Sequence, residues 1–144
     1  MSRRVFNVHT DLGGAANLKT WLLASPQNVY VGRNLAFYLG RDVGDQRLIR
    51  AIRIARYWAN PYKISRQADG KRALARYRRH LVYSGKIWRV KELEGANLAC
   101  WCSPRDCHAD FLVNMSSKTN TEIRDYARTH RGLRRNTHQT ERTA

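Results

Sequence analysis

ANLACWCSPRDCHADFLVNM, residues 96–115, decides how this chain folds. Its first seven residues are a short apolar run and read as a buried strand. SPRD is a tight polar loop, and CHADFLVNM opens a helix with Asp106 as its expected N-cap. Side chains alternate along a strand, so Cys100 and Cys102 point together and Trp101 points the other way, by expectation into the core. Cys107 and His108 then fall in the first helical turn, where unpaired backbone N–H groups favour anions and would stabilise a thiolate, as would Arg105.

Working outward, the same alternation of strand and helix recurs. RVFNVH (4–9) and NVYVGR (28–33) read as strands, separated by the DLGG break and a helix in AANLKTWLLA that Ser25 and Pro26 stop. GDQRLIRAIRIARY (44–57) is an amphipathic helix. Leu48, Ala51, Ile52 and Ala55 form its apolar stripe, Asp45 is its N-cap, and Asn60-Pro61 ends it. In DGKRALARYRRHLVYSG (69–85), Leu74, Tyr77 and Leu81 share a face and Gly85 closes the helix. A short helix or turn, IWRVKELEG, leads into the 96–102 strand. The order of elements predicts an α/β fold, a small single-domain sandwich of short, partly parallel strands with amphipathic helices. Residues 1–117 form the domain in this reading. Residues 118–144 form a basic, flexible tail, with a marginal helix around Glu122 to Arg128.

Length and composition set the bounds. The 144 residues fit one domain, and 42% apolar content with four tryptophans points to a folded chain. No apolar run is long enough to span a membrane, and the N-terminus lacks the apolar core of a secretory signal. Three clustered cysteines fit a reducing compartment, so the expected location is the cytoplasm, or the host cytoplasm if the protein is phage-encoded. The net charge of +16 attracts polyanions whatever the fold.

Three chemistries compete for the cysteine segment. Cys100, Cys102, Cys107 and His108 make a sound zinc donor set, but the C-x-C-x4-C-H spacing departs from paired C-x2-C modules. Alternatively, Cys102 or Cys107 acts with His108 and Asp110 in nucleophilic or acid–base catalysis. In the third reading the thiols pack under a turn and His108 is satisfied by a hydrogen bond. Covalent haem attachment is disfavoured by the four residues between the last two cysteines.

VYVGR (29–33), WANPYK (58–63), ALARYRRHL (73–81) and ELEGANLACWCSPRDCHAD (92–110) together resemble the domain-of-unknown-function family numbered 4326, found in phages and bacteria. The resemblance covers roughly residues 28 to 115. It implies one small α/β domain and supplies no reaction. It carries over to Tyr30, Gly32, Arg33, Trp58, Asn60, Pro61, Cys100, Trp101, Cys102, Pro104, Cys107, His108 and Asp110. Ala59 and Tyr62 are mild departures from the family pattern. The arginine-lined segment 44–57, set between VYVGR and WANPYK, is an addition to it.

If these segments meet, they describe a nucleotide-sized pocket. Arg33 would offer a planar fork to phosphate, Trp58 would stack on a base, Asn60 would bond its edge, and the amides near Cys107, with Arg105, would hold a phosphate. The competing view is that Trp58 and Pro61 pack a turn, Arg33 is internally paired and Asn60 caps backbone. Outside the pocket, Arg47, Arg50, Arg53 and Arg56, with Arg72, Arg76 and Arg79, suit a phosphate-tracking surface, because no acidic residue lies between Gln46 and Ala68. The leading expectation is a DNA- or RNA-binding protein with a nucleotide pocket. An enzyme acting on a nucleotide or base, and an inhibitor or adaptor docking on an acidic host protein, are the alternatives.

Overall fold

The computed structural model describes residues 4–40, 44–62, 70–101 and 107–143, with side chains as far as residue 131. Three strands, β1 (Val5–Asn7), β2 (Asn28–Tyr30) and β3 (Asn97–Cys100), form a sheet in the order β1–β3–β2. Both pairings are parallel, with Val5 and Val29 each opposite Leu98. The central strand is covered on both faces, which is why its sequence is an apolar run rather than an alternation.

Helices lie on both sides of the sheet. Val5, Val29, Val31, Leu98 and Cys100 face α4 (Gly70–Ser84), a 3-10 segment (Lys86–Leu93), α5 (His108–Ser116) and the start of α6 (Asn120–Thr143). Phe6, Val8, Tyr30 and Ala99 face α1 (Leu18–Ala24), α2 (Leu35–Leu39) and most of α3 (Gln46–Trp58). α3 spans both layers, with Leu48 and Ala55 in one and Trp58 in the other. Full burial of an aliphatic side chain such as Leu98 stabilises the fold by about 1.5–3 kcal/mol. At the amino end of the sheet, Arg4 donates from Nε to Ala96 O at 3.0 Å and from Nη2 to Leu93 O at 3.1 Å, locking β1 to the approach of β3.

Local chemistry accounts for the helix ends. Asp45 Oδ1 accepts from Arg47 N at 2.8 Å, so the N-cap of α3 forms as its sequence predicts. Gly85 has φ 82°, the left-handed conformation that ends α4 and starts the 3-10 segment. Leu48 and Ala55 are buried on α3, and Ala73, Tyr77 and Leu81 on α4, while the seven predicted arginines of the two helices are exposed.

Four expectations need correction. The five-residue helix α2 is absent from the sequence reading because NLAFYLG is too short to show a period; Asn34 at φ 62° turns the chain sharply from β2 into it. Trp101 is not a core residue: it turns away from Cys100, toward Tyr30 and Tyr38, as alternation predicts, but past the end of β3 its ring is left 39% exposed. The cap of α5 is Cys107, whose Sγ accepts from Ala109 N at 3.4 Å, not Asp106, which lies outside the described residues. The expected flexible tail contains α6, whose Ile123 and Ala127 are buried in the main core, so the packed unit runs past residue 117.

Candidate functional site

Because all three strands run the same way, Asn7, Tyr30 and Cys100 end on one edge of the sheet. Ligands of open parallel sheets bind beyond such carboxyl ends, where the loops meet. The loop after β1 is ordered by Asn7, which is nearly buried. Its Oδ1 accepts from His9 N at 2.8 Å and Thr10 N at 3.0 Å, its own N–H donates to Asp11, and its Nδ2 donates to Trp101 O at 2.9 Å. One asparagine thus ties the first loop to the start of the third.

The motif segments are joined by backbone carbonyls. His108 Nε2 lies 2.6 Å from Val31 O, so this nitrogen carries the proton and Nδ1 keeps the lone pair. The ring meets Tyr77 edge-on at 5.0 Å, and the Tyr77 hydroxyl donates to Trp58 O at 2.7 Å. Arg33 Nε donates to Asn60 O at 2.8 Å, closing the circuit from the β2 loop to the turn after α3. Burial holds the His108 pKa below the ordinary imidazole value, against the bond to Val31, and the nearby Arg33 charge pushes the same way. Burial raises the Tyr77 phenol well above its usual range, with a further push from Cys107. At neutral pH the imidazole is therefore uncharged, and the charge in this circuit is that of the Arg33 guanidinium.

Cys100 and Cys107 are both buried, and their sulfurs lie 2.6 Å apart. Asp110 is on the exposed side of α5; partial desolvation, then the Cys100 sulfur, raises its carboxyl above the ordinary value. Cys102 and Arg105 lie outside the described residues. No group of three or more His, Cys, Asp or Glu suited to a metal occurs among the described residues.

Trp58, expected to stack on a base, is only 2% exposed and sits in the core against Tyr57, with ring centroids 4.8 Å apart. Asn60 Oδ1 accepts from Tyr62 N at 2.9 Å, the backbone cap of the competing view. An exposed ring at this edge is instead that of Trp101. Its Nε1 donates to the Tyr30 hydroxyl at 2.9 Å, and that hydroxyl donates to Arg33 O at 2.8 Å. Gly32 makes room for this arrangement, because a Cβ there would stand 2.5 Å from the Tyr30 hydroxyl oxygen. Sequence reasoning missed Asn7 and the brace formed by Tyr77. Their polar and aromatic side chains look ordinary until the strands are placed side by side.

The arginine surface lies on α3 and α4. Arg47 is paired with Asp45 at 2.8 Å. Among the described residues, Arg50, Arg53, Arg56, Arg72, Arg76 and Arg79 make no ion pair, and Arg76 lies over the Tyr62 ring at 5.8 Å. No helix among the described residues is long and apolar enough to cross a membrane.

No curated protein and no solved structure gives a significant match to the chain. The model of one family, described as domain of unknown function DUF4326, matches residues 16–118. That span takes in β2, β3, both arginine helices and the His108 circuit, and on it the chain belongs to the DUF4326 family.

Proposed function

We propose that the protein binds nucleic acid, with the arginine faces of α3 and α4 on the sugar–phosphate backbone and the carboxyl edge of the sheet as a nucleotide-sized recess. The observation that carries this reading is the set of six exposed arginines without an acidic partner among the described residues, in a chain of net charge +16. Unneutralised guanidinium groups on two helices favour a polyanion and gain entropy by releasing its counterions. At that edge, Arg33 spends Nε on Asn60 O, while its outer nitrogens make no hydrogen bond among the described residues and remain available to phosphate. His108 and Tyr77 are both committed to backbone carbonyls, which supports a binding role for this edge over a catalytic one.

Binding to a labelled oligonucleotide, measured from low to high salt, tests the proposal. Affinity should fall linearly on logarithmic axes, with a slope of roughly −0.7 to −0.9 per phosphate neutralised. Replacing Arg50, Arg53 and Arg56 together by alanine should shallow that slope by about 2–3. Binding that ignores salt, or no binding at all, rejects the reading.

A further inference from the structure

Three aromatic rings stand in a row at the carboxyl edge. Phe37 is 82% exposed and meets Tyr38 at 5.7 Å between centroids; Tyr38 in turn meets Trp101 at 5.5 Å. Phe37 and Tyr38 belong to α2, which packs against α3, the helix that carries Arg50, Arg53 and Arg56. We propose that this row is a stacking platform for the unpaired bases of single-stranded nucleic acid. The inference rests on the nucleic-acid reading and goes beyond it by choosing the strand state.

Trp101 is held as a binding residue would be. Its indole N–H is fixed by Tyr30, and its backbone carbonyl is fixed by Asn7. Tyr30 itself is fully buried and reaches the indole only because residue 32 is a glycine. The ring is therefore exposed but already oriented, so a ligand stacking on it loses little side-chain freedom. Exposed aromatics linked, as Phe37 and Trp101 are, through the half-buried Tyr38 cost solvation free energy and mark an interaction surface. The strongly positive chain argues that what covers them is polyanionic. A single strand meets both demands, because its bases expose apolar faces while its phosphates reach the arginines. A duplex keeps those faces inside its own stack.

The test compares a single-stranded oligothymidylate with a duplex of equal length, using wild type, Phe37→Ala, Trp101→Ala and Trp101→Phe. Single-strand affinity should fall at least about fivefold in each alanine variant, since stacking on an aromatic side chain contributes that much or more per base. Duplex affinity and the salt slope should stay within about twofold, and Trp101→Phe should recover much of the loss. Thermal melting checks folding; Phe37, whose ring meets only Tyr38 among the described rings, serves if Trp101→Ala melts early. Equal losses on both strand forms, or no loss in folded Phe37→Ala, would overturn the platform while leaving backbone binding intact. Absence of binding by the wild type to either form defeats both readings. A dimer in sedimentation that Phe37→Ala dissolves would assign the row to a second copy of the chain and overturn the proposal.

Discussion

The Trp58 region and the Trp101 region each centre on a tryptophan within the span that the family model matches, and the fold treats them in opposite ways. Trp58 closes α3 with its ring in the core, its carbonyl taken by Tyr77, and the next turn tied down by Arg33. Trp101 follows β3 with its ring partly in solvent, its polar edge held by Tyr30 and its ring against Tyr38. One region uses hydrogen bonds to seal a core; the other uses them to aim a surface ring. A motif tryptophan is thus no guide to exposure until the end of its helix or strand is known.

Substitution measures the difference directly. Trp58→Ala removes a buried indole and should lower unfolding free energy by about 3–5 kcal/mol in urea titration. Trp101→Ala, at a partly exposed site, should cost no more than about 1 kcal/mol; equal losses would erase the contrast. The next effect concerns the brace. Tyr77→Phe keeps the ring but leaves the Trp58 carbonyl without its buried donor, for a loss of about 1–3 kcal/mol. A neutral outcome would mean that packing alone holds the Trp58 region.

The smallest effect is pH-dependent. The folded-state pKa of His108 lies below the ordinary 6.5, so the unfolded chain takes up this proton first as pH falls. Its contribution to stability is full above about 6.5 and is lost from there down through the folded-state pKa, at no more than about 1.4 kcal/mol per pH unit. His80 and His130 are lowered in the same direction and add to the decline. His108→Gln, which can still donate to Val31 O, should flatten the slope of stability between pH 7 and 5. An unchanged slope would place the titration elsewhere.

Much of the fold is legible in the sequence because burial imposes periods. The stripe through Leu48 and Ala55 and the apolar run of β3 each announce their elements, and the Asp45 cap and Gly85 mark two helix ends. Strand direction was legible only as partly parallel; the pairing of both edge strands with β3 depends on contacts far apart in sequence. The site was less readable for a physical reason. Arg33, Asn60, His108 and Val31 are joined through backbone carbonyls, which every residue possesses, so no side-chain pattern records the partnership. Trp101 misled because alternation sets the side a residue takes and not how deeply it is covered there, one residue past the end of the strand. Phe37 and Tyr38 sit on a helix too short to display a period.

The order of the sheet also governs the order of its making. β3 lies between β1 and β2, yet it is the last of the three to leave the ribosome. The Arg4 contact with Ala96 spans 92 positions, so neither outer strand can pair with β3 until residues 97–100 have been synthesised. Until then, the nascent protein can form its arginine helices but no sheet. Such distant pairing closes slowly, and until β3 emerges it leaves a cationic chain with its outer strands unpaired in that sheet.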